Sequence, residues 1–180
     1  MKKLFIGALA GLFALAGLAV TSGDGGGVAI QTREFSLNND SVTLNQTSGT
    51  NAYGSLTLGN LPEGLIVIHG AVFDVGGVLA LNAGGVTNTT FIKAGVGLAA
   101  ATSPVLTGTV VDVVGQAVAS TGWTNRVTKV SGVSSSVAVS DGTAAAKTLY
   151  LNFATASSST GGTLSANGKV KITFSNIGDK

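Results

Sequence analysis

His69 is the only histidine of a 180-residue chain that has no cysteine, and those two counts restrict the chemistry before any pattern is read. Without a thiol there is no disulfide framework, no thiolate metal site and no cysteine nucleophile. His69 follows Leu65-Ile66-Val67-Ile68 and precedes Gly70, a strand-like run. A metal site there would need two or more further His, Asp or Glu ligands, and the nearest acids in sequence, Glu63 and Asp74, have no spacing that selects them. A serine nucleophile would have to recruit the same His69 as its base, and no Gly-x-Ser-x-Gly elbow is present. The sequence therefore predicts a histidine held by one hydrogen bond, with no catalytic site, no metal and no cofactor. A small hydrolase working through His69 is the least favoured of three functional readings.

Gly95-Val96-Gly97-Leu98-Ala99-Ala100 matches a relaxed dinucleotide-binding fingerprint in its letters. That fingerprint works only where the glycines open a helix whose N-terminus receives a pyrophosphate. Pro104 stops any helix within one turn, so the expectation is a glycine-bearing strand packed closely on a neighbour. Asp112 interrupts Val110-Val111-Asp112-Val113-Val114 and, because an unpaired buried carboxylate costs several kcal/mol, is expected at solvent or at a contact. The basic residues after the leader, Arg33, Lys93, Arg126, Lys129, Lys147, Lys169, Lys171 and Lys180, are scattered and balanced by eight acids. No stripe tracks phosphates, and nucleic-acid binding is not expected. Trp123, the only tryptophan, lies among turn residues with Arg126 three positions on; it is read equally as a contact anchor and as a plug for one end of the fold.

The elements around these residues are short alternating runs broken by turn residues, with no helical pattern after Val20. Charged residues make up only 10% of the chain, which disfavours both a helical bundle and charge-driven disorder. Phe35 and Leu37, then Val42 and Leu44, alternate on either side of Asn38-Asn39-Asp40, read as a turn. Leu56 and Leu58 repeat the alternation. Leu65–Val75 reads as a central strand bent or bulged at Gly70. Ile92, Ala94, Val96 and Leu98 form one interior strand, and Val105–Val114 reads as another. Leu149, Leu151 and Phe153 alternate, as do Val170, Ile172 and Phe174. Asn167-Gly168 reads as a two-residue hairpin turn, with Leu164 and Val170 on paired strands. Residues 154–162 read as a flexible loop. The expected fold is an all-β antiparallel sandwich, jelly-roll-like, with its body over 55–180.

Lys2-Lys3 followed by the uncharged run Leu4–Val20, then Thr21-Ser22-Gly23, has the layout of a secretory leader. A retained segment buried against a partner and a marginal membrane anchor are the competing readings of residues 1–22. Gly-rich residues 23–27 read as a linker. The stretch 28–54 is expected to be an extended arm and first strands, able to complete a neighbour's open sheet edge. Expected contact residues are Phe35, Leu37, Tyr53, Trp123 and Arg126.

Four stretches together resemble a known family: Phe91–Ala99, Leu106–Asp112, Leu149–Phe153, and Gly168–Asp179 with its Val-x-Ile-x-Phe-x-x-Ile-Gly-Asp ending. They are similar to the β-sandwich virion proteins of tailed phages, in particular jelly-roll head decoration or cement proteins. The resemblance covers residues 60–180. It implies a virion structural part, commonly trimeric, seated on the outer face of a capsid, with the major capsid protein or other virion subunits as partners. The competing reading is a secreted or cell-surface β-sandwich that binds a glycan or forms filaments.

Overall fold

The computed structural model describes residues 29–47, 51–81, 91–118, 128–133, 138–156 and 161–178. Among them are nine strands, β1 (Ile30–Thr47), β2 (Asn51–Asn60), β3 (Gly64–Leu81), β4 (Phe91–Gly97), β5 (Val114–Val118), β6 (Thr128–Val133), β7 (Ala138–Gly142), β8 (Thr148–Ala156) and β9 (Gly162–Gly178). A single 3-10 turn covers Gly108–Val110. Every pairing is antiparallel, in the order β5-β4-β8-β2-β1-β9-β3-β6, with β7 continuing the β6 side of β3. The two strands that end this order, β5 and β6, lie against each other, so the sheet curls around one apolar interior. The all-β antiparallel expectation holds, with the strands in one curled sheet. Residues 1–22 and the linker 23–27 lie outside the described residues.

Strand side chains alternate between faces, so one inserted residue moves every later side chain to the other face. Of the register shifts in the sheet, those in β1 at Leu37/Asp40 and in β3 at Ile68/Gly70 reset the inward set in this way. In β1, Phe35 and Leu37 point inward at odd positions, whereas Val42 and Leu44 do so at even ones. The reset lies between Leu37 and Asp40, where β1 spends one residue more than β9, and Asn39 takes φ +56° there. Asparagine tolerates this left-handed conformation better than most residues. In β3 the inward set passes from Ile66 and Ile68 to Ala71, Phe73 and Val75. Its extra residue is His69, beside the expected Gly70 bulge.

Two expected turns are corrected by this register. Asn38-Asn39-Asp40 is a bulge inside one 18-residue strand, and Asn167-Gly168 lies in the middle of β9. Leu164 and Val170 are therefore on the same strand, both inward. The two asparagines face each other across the ladder: Asn39 N–H donates to Asn167 Oδ1 at 2.9 Å, and Asn167 Nδ2 donates to Asn39 Oδ1 at 3.0 Å. Of the stretch expected as an extended arm and first strands, the residues from Ile30 onward form β1, paired with β9 in the molecule's own sheet, and β2 begins at Asn51. Of the loop expected over 154–162, residues 154–156 end β8 and Gly162 begins β9, while 157–160 lie outside the described residues.

The interior is filled by Phe73 and Phe153 with Leu44, Ile66, Ile68, Ile92, Leu149, Leu151 and Ile172, all essentially without exposure. Each such side chain stabilises the fold by about 1.5–3 kcal/mol through removal from water. Of the polar side chains turned inward, Thr155 is bonded to the Ala52 backbone, but one is left without a partner. Ser140 on β7, opposite Ile66, is 1% exposed, and its hydroxyl has no hydrogen-bond partner. Burying an unpaired hydroxyl is unfavourable, so Ser140→Ala is expected to raise stability by about 1 kcal/mol in urea unfolding. A loss of stability would show that the hydroxyl is satisfied.

Candidate functional site

Gly95 and Gly97 face a covering segment, residues 98–113, that lies flat on the outside of β4. A Cβ on Gly95 would stand 2.4 Å from Val111 Cγ1, and one on Gly97 would stand 2.3–2.4 Å from the Thr109 and Val110 backbone. The glycines thus serve close packing, as the sequence suggested, rather than phosphate binding. Val105–Val113 is not the interior strand expected. After Pro104 it forms an irregular segment with the 3-10 turn, and β5 begins only at Val114. Leu98 N–H donates to Thr109 O at 2.9 Å and to Asp112 Oδ1 at 3.0 Å, and Val113 N–H donates to Val96 O at 3.0 Å.

The segment is clasped from below by a side chain that the sequence reading passed over. Asn152 on β8 is fully buried on the side of the sheet away from the core. Its Nδ2 donates to Ala99 O at 2.9 Å and Val110 O at 2.6 Å. Its Oδ1 accepts from Ser55 Oγ at 2.6 Å and Ala101 N–H at 3.0 Å. Ala101 N–H also reaches Ser55 Oγ, at 2.8 Å. All hydrogen-bonding capacity of the amide is spent on this clasp, which is a structural use. Only its place between Leu151 and Phe153 hinted at a buried outer face.

Asp112 closes the segment's other end. Partial burial raises its pKa, against the opposing pull of the Leu98 N–H and of the backbone N–H groups of Asp112 and Val113. A carboxyl whose folded pKa is raised contributes most when protonated, and that contribution is lost as pH rises through the folded value. Asp112→Asn, which keeps an acceptor for Leu98, is therefore expected to be more stable than the parent at neutral pH. The gap should close as pH falls through the carboxylate range in paired thermal melts. A gap that widens on acidification would reverse the assignment.

His69, as the bulged residue of β3, is turned to the outside of the sheet, where its Nε2 meets Ser175 Oγ. This is the single hydrogen bond expected of it. Ser175 is only 6% exposed, so its hydroxyl is covered rather than presented to a substrate. Among the described residues no group of three His, Asp or Glu side chains could hold a metal. On the same outer face, Lys169 and Lys171 hold Glu34 at 2.6 and 3.0 Å and lower its pKa.

Of the expected contact residues, Phe35 and Leu37 come together at a slit in the wall. The β1–β2 ladder has only three pairs, from Thr47↔Asn51 to Asn45↔Tyr53. Beyond it the strands part around a cleft of about 280 Å³ lined by Phe35, Leu37, Asp40, Leu56 and Leu58, with Ser36 and Thr57. Leu37, 9% exposed, packs with the core as well as lining the cleft. Phe35 is half-buried, with its ring against Gly59 and the Arg33 guanidinium 5.2 Å over its face. Arg33 Nη1 also donates to Asn60 O, closing the far end of the slit. Tyr53 stands apart, half-buried on β2 in the three-pair ladder. Trp123 and Arg126 lie outside the described residues. Asp40, missed by the sequence reading because it passed for a turn residue, is the only ionisable side chain of the cleft.

No family model matches this chain, and no curated protein or solved structure matches it either.

Proposed function

We propose that this chain is a structural subunit of a bacteriophage virion, a capsid decoration or cement protein with a jelly-roll-like sandwich, that works by contact rather than by turnover. The observation that carries this reading is how the polar side chains are used. Asn152, Ser55, Thr155, Asn39 and Asn167 are engaged with one another and with the backbone, holding strands and covering segment in place. What remains outside is a weakly charged β surface, and depletion of charge suits the core of a subunit contact. Repeated seating on a lattice would multiply modest contacts into stable attachment. The partners are then the major capsid protein or other virion subunits, with the subunit itself homo-oligomeric.

Mass spectrometry of purified particles tests the proposal: the chain should be present in symmetry-related copies with residues 1–22 intact. Recovery of the chain only from medium or envelope, with its leader removed, would overturn it. That outcome would favour the secreted or cell-surface reading, which rests on Lys2-Lys3 and the apolar run Leu4–Val20.

A further inference from the structure

We propose that Asn167-Gly168 is a self-modifying site, closed in the folded chain and open in the unfolded one, where loss of the side-chain amide through a cyclic imide bars the isoaspartyl product from refolding. The inference stands apart from the virion reading, since it concerns a single chain and needs no partner but water.

The pair is the only Asn-Gly of the sequence. In such a pair the glycine backbone nitrogen gives up its proton to base and attacks the asparagine Cγ. An N–Cγ bond forms, the Cγ–Nδ2 bond breaks, and the leaving nitrogen takes up a proton and departs as ammonia. Water then opens the five-membered imide at either carbonyl, giving aspartate or isoaspartate, so no oxidant or further reactant is needed. Glycine favours the closure because no side chain shields its nitrogen and its backbone turns freely.

The fold withholds the geometry that this reaction requires. Gly168 lies mid-strand in β9, opposite Leu37 of β1 and Val75 of β3. In an extended strand its nitrogen lies in the plane of the sheet, whereas the Asn167 side chain stands off the face opposite to that of the buried Ala166. The two atoms meet only if the peptide turns out of the ladder. Gly168 has no room to do so, since even an added Cβ would stand 2.2 Å from Asp74 O. The side chain is tied as well, with Oδ1 accepting from Asn39 N–H at 2.9 Å and Nδ2 donating to Asn39 Oδ1 at 3.0 Å. Water is not the missing reactant, because Asn39 is exposed and Asn167 only half-buried. Ring closure therefore waits on the opening of β9, and its product falls in the middle of that strand. The isoaspartyl form routes the main chain through the former side chain and lengthens it by one methylene. This upsets the alternation by which Val170, Ile172 and Phe174 turn inward.

Mass spectrometry of the full chain, held at mildly alkaline pH either folded or in guanidinium chloride and then cut with trypsin, tests this on the peptide Thr148–Lys169. Conversion at Asn167 should be at least about a hundredfold slower in the folded sample, since only the open fraction reacts. In denaturant it should outrun conversion at every other asparagine. On dilution, the aged denatured chain should recover its native circular dichroism only to the extent that it lacks isoaspartate, because chemical change of the unfolded chain makes unfolding irreversible. Asn167→Gln, whose longer side chain disfavours the imide, should recover fully after the same ageing. Should that variant fail to fold, the parent alone decides: its refolded fraction should hold at least about tenfold less isoaspartate than the fraction left unfolded. Equal conversion rates in the folded and denatured samples would overturn the closed site. Isoaspartate shared equally between refolded and unfolded fractions would overturn the bar to refolding.

Discussion

Asn152→Leu is expected to lower the stability of the protein by about 4 kcal/mol, although leucine nearly matches asparagine in shape. The loss comes from what the amide leaves behind. Ala99 O and Val110 O lose their donor, and Ser55 Oγ loses its acceptor. Ala101 N–H keeps only Ser55. Each buried group left without a partner costs about 1–3 kcal/mol, whereas the leucine gains little because Asn152 is already out of water. A thermal midpoint lower by roughly 10 °C follows for a domain of this size. Hydrogen exchange should locate the damage, with faster exchange of the amides of Ala99, Ala101 and Val113 ahead of those in β9. Ser55→Ala alone should cost less, and the double variant should cost less than the sum, because both changes break one network. An unchanged midpoint would show that the covering segment is held without the clasp, by the Gly95 and Gly97 packing and the backbone bonds of Leu98 and Val113.

The same clasp shows which parts of this molecule its sequence displays and which it hides. Alternation is a local property, so Ile92-Ala94-Val96, Leu149-Leu151-Phe153 and Val170-Ile172-Phe174 were each legible as strands with one buried side, and all are buried in the structure. The change of phase in Leu65–Val75 was legible too, because Ile68 and Ala71 cannot share a face without an extra residue between them. Val105–Val114 was not, since an apolar run is equally consistent with a strand and with a segment pressed onto the outside of a sheet. What decides between them is the pair of missing side chains at Gly95 and Gly97, earlier in the chain. The cleft between β1 and β2 was legible only in part. Phe35 stood out as aromatic, but Asp40 acquires its place from a bulge that depends on β9, some 120 residues away.

Asn167-Gly168 was misread for a related reason, and it marks the position where one added methyl group should do most harm. The pair is the favoured hairpin turn because both residues tolerate positive φ, and Gly168 does have φ +134°. Here that conformation serves the middle of a strand, opposite the bulge at Asn39, with β1 on one side and β3 on the other. Gly168→Ala meets two separate penalties. An L-residue at this φ costs about 1–3 kcal/mol in backbone strain. The new Cβ would also stand 2.2 Å from Asp74 O and 2.9 Å from Val75 Cα, both backbone atoms that cannot turn aside. Relieving the clash means separating β9 from β3 around the Asp74↔Lys169 and Val75↔Gly168 pairs, for about 1–3 kcal/mol more. A total loss of about 2–6 kcal/mol is therefore expected in denaturant unfolding. Gly115→Ala on β5 is the internal control. Its Cβ would meet nothing within 4 Å and its φ is not positive, so stability should hold or rise by about 0.4–1 kcal/mol through the stiffer unfolded chain. Equal effects at the two positions would mean that β9 does not run through Gly168 as one strand, and a hairpin at Asn167-Gly168 would then be the better description.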